Sequence, residues 1–265
     1  MRKGDTGINV TQLQRQLRQA GFAINADGWF GQETEQALIA FQHRAGLIAD
    51  GIAGPKTLQA IATRNRNPCH LAEADLQQAA DRLGIPLAAI KAINTVESSG
   101  TGFLPDSRPV ILYERHIAHR LLAETGIEQA ELDALVARYP NLINPARGGY
   151  AGGPAEWSRL DSACQVIPYD IATAACSWGQ YQIMGYHWQR LGYASPEAFV
   201  GAMHTGERAH LDAFTRYIEA EPALHKAIKA KKWAEVARLY NGPAYKANLY
   251  DIKLARAYER YAETQ

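Results

Sequence analysis

A chain of 265 residues, with 47% hydrophobic and 21% charged side chains and a formal net charge of +1, has the balance of a folded globular protein and not of a disordered one. So small a net charge excludes a global field that would steer the chain to nucleic acid or an anionic membrane, and no stretch of the sequence reaches the ~20 apolar residues of a membrane span. Three cysteines, Cys69, Cys164 and Cys176, are too few and too odd in number for a disulfide framework, and buried free thiols are expected.

The opening "MRKGDTGINV" carries two basic residues but turns polar at once, without the apolar core of a signal peptide. In "VTQLQRQLRQAGF", Val10, Leu13 and Leu17 recur at i, i+3 and i+7 and predict a first helix, closed by Gly21. A repeat follows. "DGWFGQET", starting at Asp27, returns as "DGIAGPKT", starting at Asp50, an offset of 50 − 27 = 23, and both fit D-G-x-x-G-x-x-T. Asp-Gly is turn chemistry, and Pro55 suits a first helical position. A helical pattern follows each turn: "TEQALIAFQHRAG", with Ala37, Leu38 and Phe41 on one face, and "TLQAIA". Residues 1–63 are therefore expected to form a three-helix unit, near the lower size limit for an independent core. "RNRNPCH", residues 64–70, has no apolar periodicity and contains Pro68, and reads as a linker. Residues 71–265 are expected to form a second, mostly helical domain, so the fold class is mainly α.

The stretch "GDTGINVTQLQRQLRQAGF…DGWFGQETEQALIAFQHRAGLIADGIAGPKTLQAI" resembles the peptidoglycan-binding domain type 1 from about Lys3 to Ile61, with both D-G-x-x-G turns and the L-Q and F-Q pairs present. The resemblance implies a cell-wall anchor without catalysis of its own. Trp29 is the candidate for contact with the wall polymer, the alternative being a place in the core. Phe30 is expected in the core.

In the second domain, "LAEADLQQAADRLG" predicts a helix closed by Gly84. "IPLAAIKAINTVESSG" predicts the next, with Pro86 as its first residue and Gly100 just past its end. Ile90, Ile93 and Glu97 fall at i, i+3 and i+7, so a carboxyl group shares the apolar face. Desolvation there favours the neutral carboxylic acid and raises its pKa, and a neutral acid at working pH can protonate a leaving group. A backbone-capping or arginine-paired glutamate is the bland alternative.

"CSWGQYQIMGYHW" from Cys176 and "LYNGPAYKANLYDIKLARAYERY" from Leu239, taken with "VESSG", resemble the lysozyme and lytic-transglycosylase superfamily, in which E-S-x-G, G-x-x-Q-I and Y-N recur in this order. "RPVILYERHIAHR", "NPARGGYAGGPAEWSRLDSA" and "SWGQYQIMG" resemble more closely the N-acetylmuramidase domain of phage endolysins. The resemblance implies a lysozyme-like helical domain with a small β element. It also implies cleavage of the β-1,4 bond between N-acetylmuramic acid and N-acetylglucosamine, with Glu97 as general acid and bacterial peptidoglycan as partner. Tyr240 would hydrogen-bond the catalytic glutamate, and Gln182 and Asn241 would offer amides to the sugar or else satisfy local backbone. Tyr181 would stack on a sugar face or belong to the core. No cofactor, metal, nucleic acid or membrane insertion is implied. A monomer is expected, made in the host cytoplasm without a signal peptide and acting at the cell wall or periplasm after release.

Glycosidases usually add a second carboxylate. Glu114, 114 − 97 = 17 residues on, follows the strand-like run "PVILY", which would place it across a cleft from Glu97. Asp106 on a polar turn is the rival, and a single-glutamate mechanism is the third reading. Glu114, His116 and His119 do not have the spacing of a standard zinc motif. "RGGYAGG", residues 147–153, reads as a mobile loop able to close over a polysaccharide, and "KAIKAKKW", residues 226–233, as a solvated basic helix face. A lytic transglycosylase acting on the same bond, and a non-enzymatic wall-binding phage protein, are the rival functions.

Overall fold

The computed structural model describes residues 1–98 and 101–263. Its described residues hold fourteen α-helices and one three-stranded sheet, and none of the helices is long and apolar enough to cross a membrane. The chain forms two compact units, Met1–Lys91 together with Tyr258–Gln265, and Ala92–Ala257.

The first unit begins with α1 (Ile8–Gln19), α2 (Gln32–Arg44) and α3 (Pro55–Thr63). The faces read from the periodicity are the buried ones: Val10, Leu13 and Leu17 from α1 meet Ala37, Leu38 and Phe41 from α2 and Ala60 and Ile61 from α3 around a fully buried Phe30. Gly21, at φ +92°, closes α1, and the Phe22 amide reaches back to the Leu17 carbonyl.

Two buried glutamines wire the repeated turns. Gln14 on α1 directs its amide nitrogen at Asp27 Oδ1 (2.9 Å), the Trp29 carbonyl (3.0 Å) and Thr34 Oγ1 (3.0 Å), and its oxygen accepts the Gly28 amide (2.9 Å). Gln42 on α2 repeats the pattern with Asp50 Oδ1 (2.8 Å), the Ile52 carbonyl (3.1 Å), Thr57 Oγ1 (3.2 Å) and the Gly51 amide (2.9 Å). The Asp and Thr of each D-G-x-x-G-x-x-T motif are thus joined by one side chain of the preceding helix. In both motifs the polar groups are satisfied without water, as burial requires.

The segment after α3 does not separate the compact units. Glu73, first residue of α4 (Glu73–Leu83), accepts the Ala49 amide (3.0 Å) and pairs with Lys91, and Lys91 lies 5.6 Å from the centre of the Tyr261 ring. These contacts draw α4 and the start of α5 (Leu87–Glu97) into the first unit. Gly84 closes α4 in the left-handed conformation, as its sequence position suggests.

In the second unit, β1 (Ile111–Tyr113) lies within "PVILY". It pairs antiparallel with β2 (Cys176–Trp178), which pairs antiparallel with β3 (Ile183–Met184). Ile111 faces Trp178, and Tyr113 faces Cys176. Trp178 is buried, donates to the Thr173 carbonyl (3.0 Å) and packs edge-on against Trp157 and Phe199. Around the sheet lie α6 (Arg115–Glu124), α7 (Gln129–Arg138), α8 (Ala155–Cys164), α9 (Tyr169–Ala174), α10 (Pro196–Met203), α11 (Glu207–Ala220), α12 (Pro222–Lys229) and α13 (Trp233–Asn241). The last helix, α14 (Tyr250–Glu263), carries the chain into the first unit. Helix α11 buries Glu207, His210, Leu211, Phe214 and Ile218. The basic run at the end of α12 shows Lys226, Lys229, Lys231 and Lys232 to solvent. The expectation of three buried thiols holds for Cys176 alone: Cys164 is half-buried and Cys69 exposed.

Candidate active site

Helix α5 starts one residue later than expected. The Pro86 carbonyl accepts the Ala89 and Ile90 amides, so Pro86 sits just before the helix instead of opening it. Ile90 and Ile93 are fully buried, and Glu97, the last helical residue, is half-buried on the same face. Ser98 turns back on the helix, its amide (3.0 Å) and its hydroxyl both donating to the Asn94 carbonyl. Ser99 and Gly100, read from the sequence as the rest of the helix stop, lie outside the described residues.

Burial pushes the Glu97 carboxyl above its ordinary pKa, and a hydrogen bond from Asn241 pulls in the opposite direction without cancelling it. Asn241 donates Nδ2 to Glu97 Oε1 at 3.0 Å. Desolvation is thus the larger effect, and the acid form persists to higher pH than in an exposed glutamate.

The hydrogen bond expected from Tyr240 to Glu97 goes elsewhere. The Tyr240 hydroxyl donates to the Tyr181 carbonyl at 2.8 Å, and the neighbouring Asn241 reaches the carboxylate instead. Tyr240 remains close enough that the Glu97 charge, after burial itself, helps hold its phenol well above the ordinary value. Tyr181 is no sugar platform: it is buried, stacked on Phe214 at 4.6 Å between ring centres, and its hydroxyl donates to Asn94 Oδ1 at 2.7 Å. Its neighbour Gln180, also buried, donates Nε2 to the same oxygen at 3.3 Å. Gln182, exposed and at φ +50°, bridges its own hairpin, accepting from Ser177 Oγ (2.6 Å) and donating to the Gly179 carbonyl (2.8 Å).

Glu114 stands between β1 and α6. The Gly179 amide bonds to the Val110 carbonyl, and the Glu114 amide to the Ala175 carbonyl, so the strand pair separates Glu114 from the Gly179–Gln182 turn by four residues, about 13 Å at strand spacing. Its carboxylate accepts from the Tyr150 hydroxyl at 2.9 and 3.0 Å and lies 3.1 Å from His116 Nδ1. Asp106, the rival carboxylate, is exposed and paired with Arg108 at 2.7 Å, which holds its pKa low.

The glycine-rich segment 147–153 is tied down, not free. Arg115 donates to the Ala146 and Arg147 carbonyls (both 2.9 Å). The fully buried Glu156 accepts the Ala151, Gly152 and Tyr113 amides at 2.7, 2.9 and 3.1 Å. Burial works to raise the Glu156 pKa, but these amides and Arg159 outweigh it and leave it lowered. Four glycines at positive φ, Gly148, Gly149, Gly152 and Gly153, let the backbone turn its amides inward.

Trp29 is 60% exposed, against 0% for Phe30 beside it. Its ring lies over Gly31, where an added Cβ would come within 3.2 Å of it. Phe30 is therefore core, and Trp29 is not. Sequence reasoning missed Asn94 altogether. Its only sequence signal is an amide three residues before Glu97 on the apolar face of a helix, where an unsatisfied polar group is costly.

Residues 86–262 match the family of N-acetylmuramidases, and residues 6–61 match a peptidoglycan binding domain. Among solved structures, the crystal structure of Burkholderia AP3 phage endolysin is similar over 99% of both chains, with 53% sequence identity and a TM-score of 0.94. Curated relatives match over short stretches. N-acetylmuramoyl-L-alanine amidase CwlL of Bacillus licheniformis is 42% identical over 74 residues, 26% of this chain and 21% of its own length. The zinc D-Ala-D-Ala carboxypeptidase of Streptomyces albus G is 40% identical over 72 residues, 25% of this chain and 28% of its own length. The chain thus spans less than a third of these relatives, in stretches too short to hold the 86–262 segment, and their named activities are not carried across by the match.

Proposed function

The chain belongs to the N-acetylmuramidase family and is a modular, lysozyme-like peptidoglycan hydrolase, and from that premise we propose that it cleaves the β-1,4 bond between N-acetylmuramic acid and N-acetylglucosamine with Glu97 as general acid. The observation that carries the assignment is the Glu97 carboxyl at the end of α5, its acid form favoured by burial and its oxygen held by the Asn241 amide. A protonated Glu97 delivers its proton to the leaving glycosidic oxygen as the C–O bond breaks and positive charge builds on the sugar ring. The ionised carboxylate it becomes keeps the Asn241 hydrogen bond, which favours the charged form, so the same contact that orients the acid also stabilises it after proton transfer. Water then completes hydrolysis.

The N-terminal unit is the wall anchor in this reading, with the exposed Trp29 as its contact to the polymer. Tethering a weak binding site to the enzyme raises its local concentration on an insoluble substrate. The biological role is lysis of a phage host from within, with the enzyme reaching the wall after release.

The deciding experiment digests purified peptidoglycan with the parent protein and with Glu97→Gln. Loss of turnover in the variant, together with fragments ending in reducing muramic acid, is the expected result. Parental turnover by Glu97→Gln removes the assignment, and 1,6-anhydro ends convert the reaction to transglycosylation.

A further inference from the structure

Helix α11 carries two fully or almost fully buried polar residues one turn apart, Glu207 (0% exposed) and His210 (1%). Neither has a part in the chemistry described above. Each accepts a backbone amide from a different chain segment. Glu207 Oε1 accepts the Gly102 amide at 3.0 Å and the Thr101 hydroxyl at 3.4 Å, on the segment that leaves Glu97. His210 Nδ1 accepts the Gln180 amide at 3.2 Å, on the β2–β3 turn, and His210 Nε2 contacts the Met203 carbonyl at 2.7 Å. The pair of bonds fixes the ring: Nδ1 must keep its lone pair to receive an N–H, and Nε2 must carry the proton to donate to a carbonyl.

The surroundings are shaped to this ring. A Cβ on Gly102 would meet Nδ1 far inside contact distance, and a Cβ on Gly179 would come within 2.6 Å of Cγ. Both glycines are therefore required by the imidazole between them, Gly179 also by its φ of +69°. Phe103 stacks on the ring at 5.0 Å between centres. The connection to Glu97 through the β2–β3 turn is short. Gln180, held by His210 through its amide, holds Asn94 Oδ1 through its side chain, and Asn94 lies on α5 one turn before Glu97. Gly102, held by Glu207, lies five residues after Glu97.

We infer that Glu207 and His210 are positioning residues, a two-pronged clamp from α11 that sets where the Glu97 carboxyl points by fixing Thr101 and Gly102, which follow it in the chain, and the Gln180–Asn94 contact before it. The inference rests on Glu97 being the general acid. Misplacement of a reacting group by about 1 Å can cost roughly 10²-fold in rate, and because the clamp acts through Glu97 its loss is expected to fall on kcat more than on KM.

The test measures kcat and KM on soluble, uncrosslinked glycan strands, with Glu97→Gln alongside. Glu207→Ala and His210→Ala are expected to lower kcat roughly 10- to 100-fold at a KM within about two-fold of the parent. Glu207→Gln, whose amide oxygen still accepts from Gly102, is expected to recover most of the rate. Should an alanine variant fail to fold, His210→Asn against His210→Leu decides, because Asn restores an acceptor near Nδ1 and Leu fills the space without one: Asn active and Leu slow supports the clamp. Parental kcat in folded Glu207→Ala and His210→Ala, or equal activity of the Asn and Leu variants, overturns it. A Glu97→Gln variant that still turns over marks failure of the catalytic assignment itself, which the clamp variants alone do not report.

Discussion

Asn241 reaches across 144 residues of chain to place its amide 3.0 Å from the Glu97 carboxylate. The contact opposes the burial that raises the carboxyl's pKa. A general acid must be protonated, so activity falls as pH rises through the Glu97 pKa. Replacing Asn241 by Leu removes the donor without admitting a polar group, and the carboxyl rises further. The alkaline limb of the kcat/KM profile should therefore move to higher pH in Asn241→Leu, with a lower maximum from lost orientation. A limb at the parental pH would show that the amide does not set the acid's ionisation.

Glu97→Gln should be more stable than the parent at pH 7 and lose at least roughly 10²-fold in turnover, the low end of what general-acid catalysis contributes. The sign of the stability change follows from linkage. A carboxyl whose folded pKa is raised contributes stability below its unfolded value of about 4.3 and loses it as pH rises through the folded pKa. Glutamine has no such loss. Thermal melts should show the variant's advantage at pH 7 shrinking as pH falls towards 4. A lower melting temperature at pH 7 would contradict the desolvated carboxylate.

The Tyr150–Glu114 contact makes a separate prediction. With both carboxylate oxygens on one hydroxyl, Tyr150→Phe should cost on the order of 1 kcal/mol and speed proteolysis within 147–153. Glu114→Gln should retain activity within about ten-fold of the parent, since general acid–base chemistry at a true catalytic group is worth ~10²-fold or more. Turnover as low as that of Glu97→Gln would make Glu114 the second catalytic carboxylate.

In the first unit, Trp29→Ala should weaken pull-down by purified wall without lowering the melting temperature, because the ring is mostly exposed. Gln14→Ala should instead destabilise the unit by about 1–2 kcal/mol, as it removes the hydrogen bonds to Asp27, Gly28 and the buried Thr34. If both variants melt alike, the division between contact and scaffold is wrong.

What was legible in the sequence was what depends on local period. Val10, Leu13 and Leu17, the strand in "PVILY", and the Ile90–Ile93–Glu97 face are all set by which way successive residues point. Long-range pairings carry no such period. Gln14 and Gln42 do equivalent work at spacings of 13 and 8 residues from their aspartates, so the motif repeat does not expose them. The direction of Tyr181 depends on a turn with positive φ at both Gly179 and Gln182, which sends the ring to Phe214 and not outward. Tyr240 and Asn241 stand side by side, and only the roll of α13 decides which reaches Glu97. The glycine run at 147–153 looked mobile because glycine is permissive, yet the same permissiveness lets its amides converge on Glu156.

The repeated turns have one more property. Asp27 and Asp50 occupy the same motif position and accept the same kind of glutamine amide, but they titrate in opposite senses. Hydrogen bonds from the Trp29 amide and Gln14 lower the exposed Asp27, while burial raises Asp50 despite its own hydrogen bonds. Acidification therefore relieves the second turn as pH falls towards about 4, and weakens the first as it falls below that. The acid response of the wall-binding unit is two opposed titrations in succession, which together favour the folded unit most near about pH 4.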